Sequence, residues 1–204
     1  MAHKDNHRRT RCGNPLSRYN ADERCAACAR VAGNEYPAAL TLPDHVWRNP
    51  QAGGARTVSP ERLWMWAIAL RKREHRWLAK RVKQLNSFLY HNSLAAGGDV
   101  SPDVYLGHHG LGTVIHDNVT IGRRVRIWQN VTLSVRAPAG SPHRIIIGDD
   151  VMIGANAVVI TPFEKSLHVG QGANIGAGAV VTHDVPAGAT VVGVPAQVVR
   201  EKTT

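Results

Sequence analysis

The chain is 204 residues long, 43% apolar, and carries a formal charge of +10. That length and apolar content supply a full hydrophobic core and exclude a low-complexity or disordered chain. No apolar run is as long as a membrane span, and the opening MAHKDNHRRT leads into no hydrophobic signal core, so a cytoplasmic protein is expected.

Residues 1 to 58 read as a basic, Cys-containing segment and linker, largely irregular. Residues 1 to 30 hold seven Lys or Arg against three acids. Cys12, Cys25 and Cys28 stand in a C-x12-C-x2-C spacing, with His7 or His3 as a candidate fourth ligand. Zinc takes four thiolate or imidazole ligands, and a CxxC pair is the usual half-site. Three reduced thiols are the competing reading, because an odd number of cysteines makes no disulfide framework. The stretch NPQAGGARTV, from Asn49 to Val58, has the composition of a linker.

Residues 59 to 95 form a helical segment, with one amphipathic helix expected over 59 to 91. Ser59 suits the N-cap, Pro60 the first turn, and Glu61 complements the helix dipole. Leu63, Trp66, Ala67, Leu70, Trp77, Leu78, Val82, Leu85 and Leu89 recur at three and four, a stripe that would pack under the following domain or on a neighbouring subunit. A membrane-surface or nucleic-acid helix is the alternative. Residues 60 to 98 hold eight Lys or Arg against two acids, whereas residues 100 to 204 hold eight against seven. The basic excess therefore precedes the C-terminal half, and nucleic acid is not the expected partner there.

From Ile115 onward the chain restates a six-residue phrase: VTIGRRVRIWQNV, then IIIGDDVMIGANAV, then HVGQGANIGAGAVV. The hexads start at Ile115, Ile121, Ile127, Ile147, Ile153, Val169, Ile175 and Val181, and the fifth position of each is Val or Ala. One large and one small inward residue per six suits short β-rungs joined by tight turns, each hexad being one side of a stacked prism. With three hexads to a coil of about eighteen residues, positions one coil apart lie above one another at about 4.8 Å. Leu133 and Val159 also fit as starts, and after each the phase slips, by eight residues before Ile147 and by four before Val169. Ile115, Leu133, Val159 and Val181 then share one side, and both insertions leave from the same corner. Repeat proteins place such insertions on a common, usually functional, edge. The first loop contains His143.

Four strings, HGLGTVI, WQNVTL, PHRIIIGDDVMIGANAVV and IGAGAVVTHDVPAGATVVGVPAQVV, resemble the hexapeptide-repeat acyltransferases, and most of all the serine O-acetyltransferase branch. The resemblance covers residues 99 to 200 and implies a left-handed parallel β-helix over residues 96 to 204, built into a homotrimer. It also implies acetyl-CoA as co-substrate in the groove between prisms, and a small-molecule hydroxyl acceptor, serine first. On this basis His109 is the expected general base, with His108 adjacent to it. Asp99 is the carboxylate that would orient His109, and His143 the second active-site histidine, holding the acceptor. A base near neutral pKa suits proton removal from an alcohol that attacks a thioester. Ala155 and Ala177 fall on the positions lining the coenzyme A groove, where small residues let the pantetheine arm approach the backbone, and Arg200 and Lys202 lie toward its phosphates.

The chain departs from the family at three points. Asp99 to His109 is shorter than the family's stretch by nearly one hexapeptide. His108 replaces the aspartate that holds the amino group of serine, and Pro142 replaces an arginine for its carboxylate, with Arg144 next along. An O-acetyltransferase for another small hydroxyl compound is therefore the runner-up. A catalytically silent scaffold with a nucleic-acid-binding N-terminus is a third reading.

Overall fold

The structure is a computed structural model that describes residues 58–138 and 141–200. Cys12, Cys25 and Cys28, the linker up to residue 57 and Lys202 lie outside the described residues.

Ser59 caps the first helix, α1 (Pro60–Lys72), its hydroxyl accepting from the Arg62 N–H at 3.3 Å. The expected single helix is two. The chain breaks over Arg73–His75, where Glu74 takes φ +63°, and α2 (Arg76–Tyr90) follows. Asn86 Nδ2 donates to the Pro60 carbonyl at 2.9 Å and the Tyr90 hydroxyl to the Val58 carbonyl at 2.7 Å. The end of α2 thus returns to the start of α1, an antiparallel hairpin. The break changes which apolar residues are covered. Leu63, Trp64, Ala67 and Ile68 are buried, while Trp66, Trp77, Leu78, Leu85 and Leu89 of the expected stripe are exposed. Trp64 joins the core of the following domain, and its indole N–H donates to the Ala95 carbonyl at 2.8 Å. Helix α1 therefore covers the open end of the first coil.

From Ser93 the chain winds as a parallel solenoid of about four turns, with fifteen strands among the described residues. The first side of the prism stacks β1 (Ser93–Leu94), β4 (Val114–Ile115), β7 (Thr132–Ser134), β10 (Val158–Ile160) and β13 (Val180–Val181). The second stacks β2 (Asp99–Val100), β5 (Val119–Ile121), β8 (Ile145–Ile147) and β11 (Leu167–Val169). The third stacks β3 (Tyr105–Leu106), β6 (Arg126–Ile127), β9 (Met152–Ile153), β12 (Asn174–Ile175) and β14 (Thr190–Val192), with β15 (Gln197–Arg200) added antiparallel on β14. All eight hexad starts and all eight fifth positions are buried, none more than 5% exposed, so the repeat is the core. The architecture is the mainly β solenoid expected, consistent with left-handed winding.

The register reproduces the counted slips. Ile115 pairs with Leu133, Leu133 with Val159 and Val159 with Val181, so the four residues do share one side. The loop after β7 and the loop after β10 both leave the corner between the first and second sides. A third insertion precedes the point where the count began. Leu94 pairs with Ile115 and Leu106 with Ile127, a coil three residues longer than eighteen. The extra residues form the turn Gly107–Thr113, at the corner between the third and first sides.

Turns at the remaining corner are tied by charge. Arg124 and Asp150, both at positive φ, occupy successive turns and make a bidentate pair, Nε to Oδ1 at 2.6 Å and Nη2 to Oδ2 at 2.7 Å. The Arg124 hydrogen bonds hold the Asp150 carboxyl below its ordinary range. A carboxyl lowered in the folded state stabilises above its unfolded pKa and loses that contribution as pH falls through the folded value. Arg124→Ala is therefore expected to lower Tm slightly at neutral pH, the pair being solvent-exposed. The difference from the parent should shrink as pH falls through the lowered pKa of Asp150 and vanish once that carboxyl is protonated. Thermal scans at neutral and acid pH check this, and a difference that persists in acid would refute it.

Candidate active site

His108 and His109 occupy the extra turn. Both have left-handed backbone, φ +50° and +59°, and both are exposed. Histidine tolerates this region better than most residues, and the neighbours demand the shape. A Cβ on Gly107 would meet the Trp128 ring, and one on Gly112, at φ +67°, would run into the Asn130 side chain. The turn is closed from outside by the end of α2, where the His91 carbonyl accepts from the Gly112 N–H at 2.9 Å. Glu61, on α1, accepts at Oε1 from the Leu106 N–H at the root of the turn, 3.1 Å.

The two imidazoles lean on different rings. His108 lies against Trp128, centroids 5.9 Å apart, and Trp128 meets Tyr105 edge-on at 6.3 Å. His109 stacks on Tyr90, centroids 5.7 Å apart and planes 15° from parallel. Trp128 opens the WQNVTL string but had no role assigned to it, and Tyr90 was not marked by the sequence at all. Tyr90 lies nineteen residues before His109, and no local motif joins them.

Down the same corner run the turns of the later coils. The Asn130 N–H donates to the Leu111 carbonyl at 2.8 Å, Asn156 N–H to Gln129 at 3.0 Å, and Gly178 N–H to Ala155 at 2.8 Å. Leu111, Gln129, Ala155 and Ala177 therefore form one column of successive turns, and His109 lies in the inserted part of the first of these turns, two residues before Leu111. Of the expected site residues, the base and the two coenzyme A positions share this corner.

His143 does not. It ends the long loop after β7, at the corner between the first and second sides. Asn118 Nδ2 donates to the carbonyls of Ser141 and His143, 3.1 and 3.2 Å, and pins the loop's return. Arg144 leads into β8, its guanidinium donating to Thr120 Oγ1 at 3.2 Å. Within one chain the His109 and His143 corners stand a side of the prism apart, about 15 Å for five residues at strand rise.

Asp99 lies in β2, on the second side, paired in register with Thr120. Its carboxylate takes the Lys72 ammonium at 3.1 Å. The whole of β3 intervenes before the His109 turn, so the expected Asp99–His109 pair is not formed in this chain. The residue stacked beneath the strand after His109 is Ser93, opposite Val114. Among the described residues no side-chain hydrogen bond reaches either ring of His108 or His109, and no three His, Cys, Asp or Glu residues gather as a metal site. No helix among them is long and apolar enough to cross a membrane.

The sequence matches the family model described as a hexapeptide repeat of succinyl-transferase over residues 144–183. It is 37% identical to a serine acetyltransferase of Bacillus licheniformis across 139 residues, 67% of this chain and 62% of that protein. It is 33% identical to a serine acetyltransferase of Mycobacterium tuberculosis across 174 residues, 84% of this chain and 70% of that one. In three dimensions it resembles the serine acetyltransferase of Brucella abortus in complex with coenzyme A, with a TM-score of 0.63, 26% identity, and cover of 70% of this chain and 55% of that one. The chain thus spans less than two thirds of the length of the Bacillus relative. With the Mycobacterium protein 33% identical and matched over more than two thirds of its length, the chain belongs to the serine acetyltransferase family of hexapeptide-repeat acyltransferases.

Proposed function

We propose that this protein is an acetyl-CoA-dependent O-acetyltransferase with L-serine as acceptor, the reaction that opens cysteine formation from serine. The observation that carries the proposal is the placement of His109, exposed on the left-handed turn that heads the corner continuing through Ala155 and Ala177. Three coil steps of about 4.8 Å separate the turn that carries His109 from the turn that carries Ala177. An extended pantetheine arm lying along small turn residues would span that distance and bring its thioester to the imidazole.

His109 would take the proton from the acceptor hydroxyl as its oxygen attacks the thioester carbonyl. The C–O bond forms, the tetrahedral intermediate collapses with cleavage of the C–S bond, and the imidazolium returns its proton to the departing thiolate. His143 would hold the acceptor from the opposite wall. Because His143 occupies another corner of its own prism, that wall belongs to a second copy. A cyclic homotrimer, in which each His109 corner meets the next chain's long-loop corner, repeats one heterologous interface three times and closes. A cytoplasmic setting fits a soluble acyl donor.

A second reading, a hydroxyl acceptor without an ammonium group, draws on His108. It stands where the family's aspartate would hold an amino group, and it leans on Trp128 instead. One experiment addresses both. Purified protein with acetyl-CoA and L-serine is expected to release free thiol, followed with a thiol reagent. Background release with serine but turnover with a neutral alcohol would replace the acceptor and keep the transferase, and release with neither would overturn both.

A further inference from the structure

A catalytic imidazole needs a partner that fixes its ring, and the carboxylate that would do so is engaged elsewhere, Asp99 with Lys72 at 3.1 Å. What lies against His109 is an aromatic face. We propose that Tyr90 is the positioning residue for His109, its ring holding the imidazole plane by parallel stacking in place of a carboxylate. The inference rests on His109 being the base.

Three observations support it. The rings are 15° from parallel with centroids 5.7 Å apart, inside the range of favourable offset stacking. Tyr90 is itself fixed, since its hydroxyl donates to the Val58 carbonyl at 2.7 Å and its backbone closes α2, where His91 turns left-handed at φ +51°. The same helix end grips the turn through the His91 carbonyl and the Gly112 N–H, 2.9 Å. Ring and turn are therefore held by one element, and the orientation of the imidazole is set by the helical hairpin more than by the coil beneath it. A stacked phenol fixes the plane of the ring while leaving both nitrogens open, one for the acceptor and one for solvent. A carboxylate partner would occupy one of them and stabilise the imidazolium.

The test separates the ring from the hydroxyl. Tyr90→Leu is expected to lower kcat roughly ten- to a hundredfold, the scale of a misplaced catalytic group, with KM for acetyl-CoA unchanged. Tyr90→Phe, which keeps the ring and loses the Val58 bond, should retain kcat within about threefold of the parent. A second measurement does not depend on turnover. The His109 ring C–H resonances should be displaced upfield by the Tyr90 ring current in the parent and in Tyr90→Phe, and return to ordinary positions in Tyr90→Leu. Undiminished kcat in Tyr90→Leu, equal damage in Phe and Leu variants, or unshifted His109 resonances in the parent would each overturn the positioning role. Full activity in His109→Asn would overturn the assignment of the base instead, and the resonances would still report whether the rings stack.

Discussion

His109→Asn is expected to lower kcat for acetyl transfer by roughly 10² to 10⁴, the usual contribution of a general base. Asparagine suits the test because it accepts the left-handed backbone that His109 adopts at φ +59°. The variant then removes the base without straining the turn, and its Tm should match the parent's. His109 is exposed, so little packing is lost with the imidazole. The neighbouring substitution His108→Asn, also at a left-handed position, φ +50°, provides the contrast. His108 leans on Trp128 instead of Tyr90, and its loss should appear chiefly in KM for the acceptor. The measurement is thiol release at matched enzyme concentration, with Tm as the control for folding. A larger fall in kcat for His108→Asn than for His109→Asn would exchange their roles.

Co-expressing His109→Asn with His143→Ala should give, at low acceptor concentration, more activity than the two variants show separately when summed. Within one prism the two histidines occupy different corners, the turn Gly107–Thr113 and the end of the loop after β7. A site using both must draw them from two chains. In a cyclic assembly with equal mixing, an interface is intact when its His109 comes from one variant and its His143 from the other. That describes about a quarter of interfaces in a ring with one repeated contact. His143→Ala alone should act through KM for the acceptor, so the assay belongs at low acceptor concentration. Activity no greater than the sum of the separate variants would refute a site shared between copies.

The hexads were legible because burial at the first and fifth positions is a strong and regular demand, and all eight repeats meet it on either side of the two slips. The corner of the two large insertions followed from counting alone. The turn that carries His109 did not, because its extra three residues fall before the first hexad start at Ile115 and leave no phase to compare. The same shift moved Asp99. Its place on the second side depends on the twenty-one residues between Val100 and Ile121, a register the later coils do not reveal. The helix break was hidden for another reason. Glu74 is not a residue that announces a turn, and the apolar spacing continues past it, so Trp77, Leu78, Leu85 and Leu89 read as one stripe with Leu63 although they end exposed on a separate helix. Tyr90 was invisible because its meeting with His109 exists only once the hairpin has folded back on the first coil.

A parallel solenoid has two raw ends, each offering a row of peptide groups on which another chain could continue the winding. Here both ends are closed by elements that do not repeat. Trp64 seals the first coil with a helix laid across it, and β15 runs antiparallel along β14, with a register irregularity between Thr190 and Val191. A neighbouring molecule arriving at that end meets a strand of the wrong direction and an interrupted ladder. Among the described residues the coils therefore end in elements that do not continue the winding, which disfavours end-to-end growth of the regular, highly pairing core.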